Sequence, residues 1–411
     1  MRTALFILLA MWVTNIFAQN TSPQFSSSML RSAALGDVQA LYNLGLCYDR
    51  GVGVKQDYVE ARNWFQKAAD QGHIGGEYYL GFYCSKGLGG TTDFEHAFSL
   101  FKKSAEKGYW PAMYELGKCY YFGIGVESNK EFAKSWFDKA IENGKGGACF
   151  LIGSALEIGM NGSNDLPLAF SYFKKGADFN DLGSIYKVGE FYNFGKGIDA
   201  NITLAEQYYL KAANGGHSAA QLNLGIIYLG AFGGDMQWEK AEHLLKTAAE
   251  QGQILAYHYL ADCYYNGHGP EKNMKKAYEL CLKAAEQNLS FCQYRVGFMQ
   301  INGLGTEKNE ERGLSWIRKA GIQGDSHALY YLGNKAYEEK DWENVIQYFS
   351  LALNDVYMQN DVRGDILHKL SACYRYGRGV GIDVKKADEY MNEAAKFGDP
   401  DAVKILEWLN S

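Results

Sequence analysis

Proline is scarce in this chain, five in 411 residues, which suits short, tight turns between helices. A continuous basic patch is also missing. The 41 Lys and Arg are scattered among 47 Asp and Glu, for a net charge of −6. A nucleic-acid backbone needs a basic stripe, so nucleic acid is not expected as a partner. No polybasic segment offers itself to an anionic membrane. The eight histidines include no pair at H-x-x-x-H spacing, so no metal site is expected. No Ser or Cys stands in a nucleophile elbow, and the acidic pairs lie at capping or solvated positions. Neither catalysis nor a cofactor is expected from these residues.

What the chain has instead is a period. A leucine–glycine pair, or a near variant, returns every 36 residues. The series is Leu44-Gly45, Leu80-Gly81, Leu116-Gly117, Ile152-Gly153, Val188-Gly189, Leu224-Gly225, Leu260-Ala261, Val296-Gly297 and Leu332-Gly333. A tenth copy, Leu370-Ser371, follows 38 residues later. A fixed period of this length marks a stacked repeat array, in which each unit needs only its neighbours.

Four residues before each of the first nine anchors stands a small group (Ala40, Gly76, Ala112), and four after the anchor often a tyrosine (Tyr48, Tyr120, Tyr192). Groups at i, i+4 and i+8 line one face of a helix, helix A, and glycine in that face admits a second helix closely. A Gly-x-Gly turn ends helix A, as at Gly51/Gly53 and Gly123/Gly125. It follows a helix and lacks a third glycine, so it is a turn and not a phosphate loop. Thirteen residues after the anchor come Asp57, Asp93, Asn129, Asp165, Asn201, Asn273, Asn309 and Asp383. Each is expected to cap a helix B. Helix B carries a stripe such as Ala61…Trp64-Phe65…Ala68 and is expected to end at Gly72, Gly108, Gly144, Asn180 and their equivalents.

The first residues differ. Arg2, an apolar stretch over 4–13 and Ala18 read as a cleavable export signal over residues 1–18. A polar segment over 19–28 leads into the array, and no membrane span is expected in the mature chain. The chain is therefore expected to be exported, periplasmic or secreted. Sequons at Asn20, Asn161, Asn201 and Asn288 would matter only in a eukaryotic secretory pathway. Most of the eight cysteines occupy packing positions and read as small buried hydrophobes. Cys47 and Cys84 stand at similar heights on neighbouring A helices and are the best candidates for a bridge. His73, His217 and His327 fall in turns between helix B and the next helix A and read as solvent-facing.

These units resemble the Sel-one-like repeat family, a relative of the tetratricopeptide repeats. Ala40 to Gly72 meets the family's pattern almost letter for letter, and the likeness runs from about residue 25 to 411. It implies an all-α fold, a right-handed superhelix (solenoid) of about ten helix–turn–helix repeats over 29–411. The ninth copy, about 326–360, lacks the double-glycine turn and looks like a tetratricopeptide unit, with an insertion near Asn354–Gly364. Cysteine-rich relatives staple the end of helix B to the following helix A. Only Cys281 and Cys292 approach that arrangement, and Cys281 lies about one turn too early.

The resemblance further implies a non-catalytic scaffold or adaptor that binds a partner protein or peptide as a monomer. The alternative is an envelope hydrolase or β-lactam-binding protein of the cysteine-rich branch, for which the chain offers no residue set. In tetratricopeptide-like arrays the position two before the anchor faces the concave groove. It holds Tyr42, Tyr78, Tyr114, Phe150, Tyr186, Tyr294 and Tyr330. Phe298 stands two after its anchor and adds to the same face. Rings in one register suit a peptide groove, because they give large contact area at little entropic cost. The other reading, that they pack on the next repeat, stays open at this point.

Overall fold

The computed structural model describes residues 23–159, 164–231 and 233–409. The leader over 1–18 and the sequons at Asn20 and Asn161 lie outside them. The described residues form 21 helices and no strand. They divide into two compact units, one up to Tyr208 and one from Tyr209. The first unit opens with α1 (Ser27–Ala34), α2 (Val38–Arg50), α3 (Tyr58–Asp70), α4 (Ile74–Lys86), α5 (Phe94–Glu106) and α6 (Trp110–Phe122). It continues with α7 (Lys130–Ile158), α8 (Leu166–Asp178), α9 (Leu182–Phe194) and the start of α10 (Ile202–Asn214). The second unit runs through α11 (Ser218–Tyr228), α12 (Trp238–Glu250), α13 (Ile254–Asn266), α14 (Met274–Glu286), α15 (Ser290–Asn302) and α16 (Glu310–Ile322). It ends with α17 (Ser326–Glu339), α18 (Trp342–Ala352), α19 (Asn360–Tyr376), α20 (Val384–Lys396) and α21 (Pro400–Leu409). Each unit is a run of helix–turn–helix repeats, the α-solenoid class of fold.

The anchors form the core. Leu44, Leu80, Leu116, Ile152, Val188, Leu224, Val296 and Leu370 are fully buried. The glycine after the anchor is where helix B crosses helix A. A Cβ built on Gly45 would stand 2.5 Å from the Phe65 ring, on Gly117 2.6 Å from Phe137, and on Gly333 2.4 Å from Phe349. Two copies depart from glycine, and both departures are matched across the crossing. Ala261 faces Cys281, which is smaller than the usual phenylalanine. Ser371 pairs with a repeat that carries Met391, and its hydroxyl donates to the Ala387 carbonyl at 2.7 Å.

The turns obey one hydrogen-bond scheme. Gly51 takes a left-handed conformation (φ 68°) and its N–H donates to the Cys47 carbonyl. Asp57 then accepts from the N–H groups of Val59 and Glu60, while its own N–H donates to the Tyr48 carbonyl at 3.0 Å. Asp93, Asn129, Asn273, Asn309 and Asp383 repeat the cap. In the ninth copy Lys340 (φ 58°) ends α17 in place of a glycine turn, and Asp341 caps α18 directly. The inserted loop before α19 is tied down where the Ser326 hydroxyl donates to Asp355 at 2.6 Å. Val356 and Tyr357 beside it are exposed.

Three sequence expectations are corrected. Gly144 does not itself make the left-handed turn that ends helix B: the backbone leaves helical geometry one residue later, at Lys145 (φ 46°, ψ −127°), which divides α7 into a helix B and the following helix A. Glycine is required there for a different reason, since a Cβ would stand 2.7 Å from the Trp110 ring. Cys47 and Cys84 form no bridge, and both are free thiols. The Cys47 thiol donates to the Pro23 carbonyl at 3.3 Å, and Cys84 accepts from Arg62 at 3.4 Å. His73 and His217 are not idle surface groups: their Nδ1 atoms cap α4 and α11, accepting from Gly76 at 3.0 Å and Ala220 at 3.3 Å.

Candidate interaction surface

The register two before the anchor lies on helix A next to the first turn of the following helix A. Tyr42 stacks on His73 with ring centroids 4.5 Å apart, and Gly75 leaves room beneath it. Phe150 covers Gly183 in the same way. Tyr78 meets Tyr109 edge-on at 5.3 Å, and Tyr294 lies 5.7 Å from His327. Tyr330 reaches further and donates from its hydroxyl to Asp365 at 2.9 Å. Tyr78 and Tyr114 are buried, 5% and 7% exposed, so they have little ring area for a partner. Burial pushes the Tyr114 hydroxyl up to about 12. Tyr42, Phe150, Tyr186, Tyr294, Phe298 and Tyr330 are half-buried.

Charged groups run beside the rings. Lys187 bridges Glu157 at 2.9 Å and Glu190 at 3.2 Å, and Lys196 reaches both acids. Arg295 pairs with Asp262 at 2.9 Å, and Lys369 with Asp365 and Asn334, both at 2.6 Å. In the last two cases a cation one before the anchor reaches the group two after the preceding anchor. Sequence reasoning missed this stitching, although opposite polarity at those two registers was there to be read. Lys118 instead pairs within its own repeat with Glu115 at 2.5 Å and lies 5.0 Å from the Tyr114 ring.

His258 takes the ring position in its repeat and meets Phe291 edge-on at 4.3 Å. Burial first, and Arg295 second, lower its pKa to about 4. Among the described residues no cluster of three or more His, Cys, Asp or Glu could hold a metal ion. No described helix is long and apolar enough to cross a membrane. In each unit, half-buried rings of this register lie beside ion pairs.

The family model described as Sel1 repeat matches residues 38–73, 75–109, 110–145, 147–178, 183–217, 218–253, 254–289, 290–325 and 367–399. It passes over the irregular ninth copy. No curated protein matches the chain. Among solved structures, c5321, a protective antigen of uropathogenic Escherichia coli that displays an SLR fold, is 29% identical with a TM-score of 0.58. The alignment covers 91% of this chain and 80% of that one. A Sel1 repeat protein from Oxalobacter formigenes is 22% identical with a TM-score of 0.56, covering 73% of this chain and 88% of the other.

Proposed function

Because the chain belongs to the Sel1 repeat family, whose members generally act as protein-interaction scaffolds, we propose that it is an exported, non-catalytic scaffold. It works as a monomer and holds an extended segment of a partner protein along its helix A face. The observation that carries this reading is the single ring register, half-buried at Tyr294 and Tyr330 in the second unit, with the half-buried Phe298 ring beside Tyr294. Rings fixed by their own neighbours lose little entropy on binding, which favours them as contact points. The leader-like start at Arg2 to Ala18 supports export, and one similar structure is that of a protective antigen.

The test begins with recovery of the partner by crosslinking in the native compartment and N-terminal sequencing of the mature chain. Dissociation constants are then compared for the natural chain and for Tyr294→Ala and Tyr330→Ala. Each truncation is expected to weaken binding by about 2 kcal/mol, the scale of a hot-spot aromatic. Melting temperature measured alongside separates lost contact from lost stability. Unchanged affinity in folded variants would remove the helix A face from the reading.

A further inference from the structure

The turn that joins α19 to α20 reverses a polarity pattern seen in other turns. Eight residues after the anchor, Val52, Leu88, Ile124 and Leu304 are apolar, and here Arg378 stands in that register. Twelve residues after the anchor, Gln56, Thr92, Ser128 and Lys308 are polar, and here Ile382 stands, 70% exposed. The irregular ninth copy supplies the surroundings. Asp341 caps α18 directly, so Trp342 opens that helix. Gly379 seats the turn on it: a Cβ there would stand 2.5 Å from the Trp342 carbonyl oxygen. Tyr337 meets the Trp342 ring edge-on at 5.3 Å. The half-buried Arg378 guanidinium lies 4.9 Å from the centre of the Trp342 ring and 5.2 Å from that of Tyr376, which is 64% exposed. Ile382 lies over Gly377, where a Cβ would stand 2.9 Å from its side chain.

We propose that Trp342, Tyr376, Arg378 and Ile382 form a docking surface for an acidic peptide segment of a partner protein. A carboxylate of that segment lies on Arg378, and an apolar side chain next to it lies against Tyr376 and Ile382. The surface is separate from the ring register of the helix A face. Charge complementarity decides the occupant. Ring contact takes up the face of a guanidinium, while its N–H donors lie in its plane, where one carboxylate accepts two of them. Those donors are unspent: among the described residues Arg378 makes no ion pair and no side-chain hydrogen bond. The other cations of α19 are engaged. Arg375 pairs with Asp388 and Lys369 with Asp365, and Arg363 donates to the Leu353 and Asp355 carbonyls. Lys196, which has the register of Arg378 in an earlier turn, reaches Glu157 and Glu190. Acids close in sequence are engaged too: Asp341 accepts from the Asn344 amide at 2.6 Å, and Asp383 from the Lys386 N–H at 2.9 Å. Glu343 stands on the first turn of α18, where the helix dipole favours it. Trp, Tyr and Arg are the residue types that most often carry binding energy at interfaces.

The experiment is panning of a random-peptide phage library on the full chain, followed by titration of the enriched peptides, labelled with fluorescein, by fluorescence anisotropy. The expected result is an enriched family that carries Asp or Glu beside an aliphatic or aromatic residue. Its affinity should fall about tenfold or more on Arg378→Gln, the scale of a lost charge-assisted hydrogen bond. Replacing the acid of the peptide by its amide should cost as much. Tyr376→Ala and Ile382→Ser should also weaken binding, Glu343→Gln should tighten it, and Tyr330→Ala should leave it unchanged. Melting curves establish that each variant is folded, and the two exposed positions decide the question if Arg378→Gln does not fold. Absence of an acidic family, or an acidic family that binds Arg378→Gln as well as the natural chain, would overturn the proposal. Binding lost in Tyr294→Ala and Tyr330→Ala but kept in Arg378→Gln would also overturn it, while leaving the helix A face as the binding surface. Dimerisation of the natural chain in sedimentation that Arg378→Gln abolishes would make the occupant a second copy, and the assignment to a partner's peptide would fall.

Discussion

At the scale of single residues, the pattern of small and large groups carries most of the information. Leu116-Gly117 reads as an anchor with an approach point, and the crossing of Phe137 over Gly117 follows. Where reading failed, one residue type had two uses. Gly144 was needed for its missing Cβ beside Trp110 and not for a left-handed turn, and sequence alone does not separate those uses. His258 has a testable consequence. Its pKa falls from 6.5 to about 4 on folding, so the folded chain holds the ring neutral where the unfolded chain would protonate it. Stability from this group is complete above pH 6.5 and is lost as pH falls from 6.5 towards about 4. Arg295 reinforces the effect and Asp262 opposes it. His258→Leu installs the residue that stands at this register as Leu222 in the preceding repeat. Melting temperature between about pH 7 and about pH 5 should drop more steeply in the natural chain than in the variant. Parallel curves would mean that the site does not titrate differently on folding.

At the scale of elements, caps and turns were legible because each is chemistry confined to a few residues. The pairing of repeats was less so, as it depends on backbone brought close from a period away. The two glycines of one turn show the difference. Gly123 and Gly125 both have positive φ, 71° and 66°. A Cβ on Gly123 would find its nearest neighbours at 3.6 Å, whereas on Gly125 it would stand 2.1 Å from the Phe94 carbonyl oxygen. The second glycine therefore seats the turn on the start of α5. Gly305 over Met274 and Gly89 over Tyr58 repeat the contact. Gly123→Ala should cost about 1–2 kcal/mol, the price of a left-handed alanine. Gly125→Ala should cost about 1–3 kcal/mol more, because backbone must move to admit it. Urea titration of both variants measures the difference, and equal midpoints would show that the turn does not bear on the preceding repeat.

At the scale of the whole molecule, the fixed period makes a claim that no single contact makes. Contacts run between neighbouring helices, so one period should be removable without changing the chemistry at the joint. Removing residues 73–108 would join Gly72 to Tyr109. It would bring Trp110 to Phe122 against α3 in place of α5, with the same registers facing. The Glu77–Lys107 ion pair, 2.6 Å long, would leave as a unit, while Asp49 would lose the Tyr83 hydroxyl that donates to it, which is one source of the lowered melt. Tyr42 would take over the position that Tyr78 holds over the start of α6, and Gly125 would be seated on Tyr58 in place of Phe94. Removing half a period, residues 91–108, would instead set one A helix on another and bury Tyr109 against no matching face. Far-ultraviolet ellipticity per residue should be unchanged in the first deletion, with a lowered but still cooperative melt. The half-period deletion should lose helicity or aggregate. If both deletions behave alike, the repeats do not act as interchangeable neighbours, and long-range contacts must hold the chain together.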